Sequence, residues 1–244
     1  MRPRLLPSAL AGLALVLLSV GAGEALVQHR EDQYVRSVTR RVLAEAAAQD
    51  FDSKVVALRD HVRDRVRNIN FWRKDRPFLR HTASQTLHSG KGRCGEAARV
   101  FINLARAAGI PAQRLYLEGR KAHVVVVVRD EGGRALVVDP TNRFFFPEVE
   151  ALDGLKLPAE FTTYSAFGWR RLRTLRALPS NFVSLGPLAY LLENPHALLA
   201  FLCLLFSPAT FALALFFHRR TAHRGARGSQ ADFALPAAFE GEGA

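Results

Sequence analysis

Cysteine is nearly missing from this sequence, with two residues, Cys94 and Cys203, in 244. Two thiols cannot build a disulfide framework or a cysteine-rich zinc site. Glycine (17) and proline (12) are too few for a collagen-like or low-complexity chain. Asp and Glu are in deficit, 22 against 34 Lys and Arg, and nowhere gather at calcium-loop spacing. No metal and no cofactor is therefore expected. With 49% hydrophobic and 23% charged residues, disorder throughout is excluded. The length allows one domain and a small addition, at roughly 100–200 residues per domain.

What is present is unevenly spread. The formal charge is +12. Such an excess can serve nucleic acid, an anionic membrane or an acidic partner. Here part of it flanks two apolar blocks: Arg2 and Arg4 before the first, and Arg219, Arg220, Arg224 and Arg227 after the second. The rest alternates with acids, as in Arg59, Asp60, Arg63, Asp64, Arg65 and Arg67, which reads as a solvated helix face. Arg170, Arg171, Arg173 and Arg176 beside Trp169 form a basic cluster suited to lipid headgroups. No nucleic-acid motif appears, and no nucleic-acid partner is expected.

The first block, Leu5 to Val20, is apolar apart from Ser8 and Ser19 and is followed by Gly21-Ala22-Gly23. It suits a signal peptide or an uncleaved anchor. The anchor is favoured, because apolar residues resume at Ala25-Leu26-Val27. The second block, Ala197 to Phe217, carries no charge over 21 residues. At about 1.5 Å per residue it spans ~30 Å of hydrocarbon. Cys203 lies in it as a packing residue. The basic residues beyond Phe217, and those before Leu5, place both chain ends in the cytoplasm. The expected organisation is an N-terminal membrane segment (1–27), an extracytoplasmic domain (28–187, core 85–145), a second membrane helix with its lead-in (188–218), and a disordered cytoplasmic tail (219–244). The protein is thereby placed in the cell (inner) membrane as a two-pass protein, with the bilayer as a partner.

Within the middle region, helical spacing of apolar residues predicts helices over Val35 to Gln49 and Ser53 to Val66, the second capped at Asp52-Ser53. The stretch from Asn68 to Gln85 reads as loop. A helix follows from Cys94 to about Ala108, with apolar Ala97, Val100, Phe101, Leu104, Ala105 and Ala108, and Gly109 as its stop. Arg114 to Leu117 reads as strand. Val124 to Val128, five valines in a row, is a buried strand turning through Asp130-Glu131-Gly132-Gly133 into Ala135 to Val138. Residues 141–187 resist assignment.

Three residues fall where chemistry could use them. Cys94 opens a helix, where the macrodipole and free N–H groups favour a thiolate and could receive an oxyanion. His123 begins one strand of the hairpin and Asp139 ends the other. An antiparallel hairpin makes these near neighbours, as an imidazole oriented by a carboxylate requires. Taken singly, each has a structural alternative: a buried thiol, a strand-end histidine, a turn aspartate. Glu96, in the first turn of the helix, reads as a capping group.

The stretch Gly92-Arg93-Cys94-Gly95-Glu96-Ala97-Ala98, then Leu104-Ala105-Arg106-Ala107-Ala108-Gly109-Ile110-Pro111-Ala112, then His123, then Val138-Asp139-Pro140-Thr141, resembles the core of the transglutaminase-like superfamily. The resemblance spans Gly92 to Thr141. It implies an α+β, papain-like fold, with the nucleophile helix packed on an antiparallel sheet. It assigns Cys94 as nucleophile, His123 as general base and acid, and Asp139 as the orienter of His123. Gln85 is the candidate for the remaining oxyanion donor. The chain departs from the family in lacking Trp after His123 and before Asp139, which bears on substrate shape rather than on the triad. The implied function is a membrane-anchored thiol enzyme acting on amide or peptide bonds of envelope proteins through an acyl-enzyme, by hydrolysis more than crosslinking. The alternative is a catalytically silent member of the family serving as a binding module in an envelope assembly.

Overall fold

A computed structural model describes residues 5–69, 81–141, 143–165 and 187–231. The basic cluster at Arg170 to Arg176 lies outside them. The chain divides into two units, one of residues 26–198 and one of residues 1–25 and 199–244.

In the larger unit the helices are the end of α1 (Leu5–Glu45), α2 (Phe51–Arg65), α3 (Ala83–Ser89), α4 (Cys94–Ala107) and α5 (Pro187–Glu193). A five-stranded antiparallel sheet has the order β6-β5-β4-β3-β7, built from β3 (Ala112–Gly119), β4 (His123–Arg129), β5 (Ala135–Val138), β6 (Glu150–Ala151) and β7 (Phe161–Ser165). Two short parallel strands, β1 (Arg67–Asn68) and β2 (Lys91–Gly92), stand apart. This is the α+β arrangement expected of the sequence, with α4 packed on an antiparallel sheet.

The valine run forms β4 because both faces of the sheet are covered. Val126, Val128 and Val138 join α4 residues Val100, Phe101, Ile102 and Leu104 in one core. Val125, Val127 and Val137 join Leu115, Leu117, Phe146 and Phe161 in a second. Each such side chain, fully buried, contributes roughly 1.5–3 kcal/mol. The two layers therefore demand apolar residues at both parities of the strand.

Helix α4 is fixed at both ends. Glu96 Oε2 accepts from Arg93 N at 2.8 Å, the capping role expected of it. After the last turn Gly109 adopts φ +78°, and Ile110 N donates to Ala105 O while Gly109 N donates to Arg106 O. This pair of bonds is a Schellman ending, which asks for glycine in the left-handed region.

Several expectations are corrected. The cap of α2 is Asp50, whose Oδ1 accepts from Ser53 N at 2.9 Å; Asp52 falls inside the first turn. The apolar N-terminal block and the helix expected at Val35 are one helix, α1, because no proline intervenes and Gly21 and Gly23 cost only about 1 kcal/mol each in a helix this long. Part of the expected loop before Cys94 is α3. Arg59, expected on a solvated face, is 6% exposed, and Arg63 donates to three carbonyls. The segment after 187, expected as a lead-in to the membrane, belongs to the larger unit through Glu193. The tail expected to be disordered from residue 219 is helical to Ala231, since extending a nucleated helix costs little.

The smaller unit holds the rest of α1 and most of α6 (Pro195–Ala231). Both helices are long and apolar enough to cross a membrane. They approach through small residues: Ser207 Oγ donates to Ala14 O at 2.9 Å, and a Cβ at Gly21 would meet Leu204 Cγ at 2.9 Å. Cys203 is buried there, as a packing residue should be.

Candidate active site

The approach to Cys94 is held by backbone. Arg67 N donates to Gly90 O at 2.9 Å and Ile69 N to Gly92 O at 3.0 Å, pinning β2 beside β1. Gly92 is needed for this closeness, because a Cβ there would meet Val66 Cγ1 at 3.0 Å and Thr86 Cγ2 at 3.1 Å. Cys94 then starts α4 as its first residue, half-buried, where the first N–H groups of the helix, its own and that of Gly95, have no carbonyl a turn back to bond.

The sheet brings the other two residues in. The register pairs Val126 with Val138 and Arg129 with Ala135. Continued outward, it sets His123 opposite Thr141, so Asp139 is its diagonal neighbour on the same face, within reach of a long side chain. His123 Nε2 and Asp139 Oδ2 are 2.8 Å apart, both buried. The other carboxylate oxygen, Oδ1, accepts from Thr141 N at 2.8 Å, which fixes the carboxylate plane. With Nε2 taken, Nδ1 is the imidazole nitrogen left for Cys94, with which His123 also hydrogen-bonds.

The electrostatics follow. Burial alone pushes the Cys94 thiol up. The hydrogen bond and charge of His123, with the backbone N–H groups of Val124 and Gly95, outweigh it and hold the thiol below its ordinary value. Burial pulls His123 down, but the bonds to Asp139 and Cys94 and their charges raise it to about 9. Shifts of these opposite signs favour the thiolate–imidazolium pair over the neutral thiol and imidazole.

Aromatic rings enclose the imidazole. Phe161 stacks on it at 6.1 Å between centroids with 17° between planes, and Phe145 lies tilted at 5.4 Å. The segment carrying Asp139 and Phe145 is tied to α2 by Arg63. Its Nε donates to Asp139 O at 2.9 Å, Nη2 to Phe146 O at 2.7 Å and Nη1 to Pro147 O at 3.0 Å.

Residues 35–140 match the transglutaminase-like superfamily, a range that contains Cys94, His123 and Asp139. These residues belong to that superfamily. No curated protein matches the chain. Among solved structures, the chain is similar to a candidate cysteine protease from Cytophaga hutchinsonii, at 18% identity over 55% of this chain and 48% of that one, with a TM-score of 0.40. It is also similar to a candidate protease from Parabacteroides distasonis, at 16% identity over 52% of this chain and 27% of that one, with a TM-score of 0.36. The chain thus spans about half the length of the first and about a quarter of the second.

Gln85, the fourth candidate, has another task. It is the third residue of α3 and exposed, and its Oε1 accepts from Thr82 N at 3.1 Å while its own N–H bonds Thr82 Oγ1. It completes a capping box on a helix the sequence had read as loop.

Sequence reasoning missed Glu193. Its carboxylate takes both arms of Arg114, at 2.5 and 2.6 Å, with Arg99 at 3.6 Å. Arg114 also lies against the start of α4, since a Cβ on Gly95 would sit 3.2 Å from its Nη1. Burial pushes the Glu193 carboxyl up, and the guanidinium groups of Arg114, Arg99 and Arg106 outweigh it and hold it low. No sequence signal marks such a pair, because its members are 79 residues apart.

Proposed function

We propose that the protein is a membrane-anchored thiol hydrolase of peptide or amide bonds, acting through an acyl-enzyme on Cys94. The observation that carries this reading is the buried 2.8 Å bond from His123 to Asp139, with the same imidazole acting on a thiol that opens a helix.

Cys94 thiolate adds to the substrate carbonyl, and the negative charge that develops on oxygen meets backbone N–H groups at the start of α4, that of Cys94 included. The tetrahedral species collapses as the imidazolium gives its Nδ1 proton to the leaving amine, and a thioester remains. Water then attacks the thioester while the now neutral imidazole takes its proton. The acid departs and the ion pair is restored. Asp139 stays ionised throughout and keeps the proton on Nε2, so that Nδ1 faces the sulfur. Supplying an amine in place of water would give transamidation with the same residues.

The apolar helices support anchoring. Leu13, Leu15, Val16, Phe201, Phe206, Phe211 and Phe216 are exposed side chains suited to lipid. The charge flanking both helices supports a two-pass topology with an extracytoplasmic domain, cytoplasmic ends, and envelope proteins or peptides as substrates. The test is alkylation of Cys94 by iodoacetamide across pH, read by peptide mapping of the full chain in detergent, beside His123→Ala. Rapid labelling at pH 5–6 that the substitution slows supports the reading. Labelling that tracks an ordinary thiol near pH 8.5 and ignores His123 sinks it and leaves a silent binding module.

A further inference from the structure

The acyl-transfer chemistry leaves the run Phe144-Phe145-Phe146 without a task. Phe146 is 1% exposed and belongs to the outer core of the sheet. Phe145 is half-buried, 5.4 Å from the His123 ring and 5.0 Å from Phe161. Phe144 is 76% exposed and stands edge-on to Phe145 at 5.0 Å. The exposure is not slack in the chain, because Arg63 holds the backbone on both sides, at Asp139 and at Phe146 and Pro147. An aromatic surface is thus held continuous from the imidazole outward to solvent. Lys121 borders it, its Nζ 5.7 Å from the centre of the Phe145 ring.

The place of this surface decides which part of a substrate it meets. The leaving amine takes its proton from His123, so the residue that carries that amine must lie over the imidazole. The rings that continue from the imidazole therefore lie on the leaving side of the bond. We propose that Phe144 and Phe145 form a leaving-side subsite that takes an aromatic or large aliphatic side chain of a peptide substrate. The proposal rests on the thiol acyl-transfer reading and adds its specificity. Lys121 at the edge disfavours a cationic side chain there, so a lysine is a poor residue for this position.

Deacylation by an amine is the reverse of acylation, so an acceptor amine occupies the same subsite and can probe it. The full chain in detergent is acylated with p-nitrophenyl acetate; the Cys94–acetyl bond forms as p-nitrophenolate leaves. Glycinamide, leucinamide, phenylalaninamide or lysinamide then competes with water for the thioester. The amine nitrogen bonds the acetyl carbon, the C–S bond breaks and the proton passes to His123. The ratio of acetylated amide to acetate, read by mass spectrometry, cancels changes in the thiol itself.

Phenylalaninamide and leucinamide are expected to capture acetyl about tenfold better than glycinamide, as burial of a large side chain against aromatic rings provides. Lysinamide should do no better than glycinamide. Phe144→Ala should shrink the preference to about twofold, and Phe144→Leu should keep much of it, with melting curves recorded for both. Equal capture of all four amides, or an undiminished preference in Phe144→Ala, overturns the subsite while the acyl-enzyme stands. If Cys94 carries no acetyl group at all, the thiol acyl-transfer reading falls and the subsite with it.

Discussion

Asp139→Asn removes one charge and keeps the volume, so its effect isolates what the carboxylate does. In the folded protein Asp139 is fully buried and both oxygens accept, Oδ2 from His123 Nε2 and Oδ1 from Thr141 N, each at 2.8 Å. An asparagine can match only one of these donors. If its oxygen keeps Thr141 N, the amide NH2 faces Nε2. The imidazole must then hold its proton on Nδ1 and present a donor to the sulfur, which cannot take the thiol proton. If instead the oxygen turns to Nε2, the NH2 meets Thr141 N, and a buried donor loses its partner at roughly 1–3 kcal/mol. In the second arrangement the imidazolium loses a charge-assisted bond. Such bonds are worth roughly 1.5–3 kcal/mol against 0.5–1.5 for neutral ones, a difference near 1.4 kcal/mol, or about tenfold. The thiolate fraction of Cys94 at pH 6–7 should therefore fall about tenfold, and iodoacetamide labelling with it. Turnover of an ester or peptide should fall further, by about 100-fold or more, because the wrong tautomer blocks proton transfer in both half-reactions. The measurement is the pH profile of Cys94 alkylation beside steady-state hydrolysis of p-nitrophenyl acetate. Wild-type alkylation at pH 6 in the asparagine variant would refute the argument, since Asp139 would then be no more than a turn residue.

Other consequences are as direct. His123 is raised to about 9 and Cys94 lowered, so the ion pair forms above the depressed thiol value and is lost as pH rises through about 9. Hydrolysis should decline on the alkaline side near 9; a rate still climbing at pH 10 would contradict this. Gly119→Ala would put a Cβ 2.4 Å from Glu160 O, where no side-chain rotation can relieve it. The β3–β7 pairing should open, Phe161 should leave the His123 ring, and both melting temperature and Cys94 labelling should drop; a wild-type melting curve would count against the described register. Glu193→Gln leaves Arg114 buried without the carboxylate that takes both its arms, at a cost of about 3–5 kcal/mol, or a melting point lower by on the order of 10 °C. Glu193→Leu with Arg114→Met should recover most of that loss, and failure to recover would assign the damage to packing rather than charge.

The placement of the three candidate residues and their frame was legible because it is local or nearly so. A glycine-preceded cysteine, a helix ending in Ala-Gly-Ile-Pro and a valine hairpin each read within a dozen residues, and the hairpin alone brings His123 to Asp139. Sequence spacing makes the two residues near neighbours without giving the register. The five-residue turn 130–134 shifts the register so that they are diagonal. Gln85 was misplaced because α3 is only seven residues long, too short for periodicity to announce it. Once Thr82 is recognised as a cap, the glutamine three residues later reads as its partner.

What stayed hidden is the part of the site built by contacts distant in sequence. Arg63 lies in a run of alternating charges that looks solvated, and only the fold brings the carbonyls of 139, 146 and 147 to it. Glu193 stands beside the second apolar block with no partner near it in sequence, yet its carboxylate holds Arg114 against the start of α4. Charged side chains are ambiguous by nature. Burial with a partner and solvation on a surface use the same letters, and the partner decides which applies. The aromatic run at 144–146 has the same ambiguity in apolar form. One of its three rings is core, one lies against the imidazole, and one faces solvent beside it. Composition cannot divide these tasks, but a backbone clamped by Arg63 does, and that clamp is why the exposed ring can bear on substrate choice.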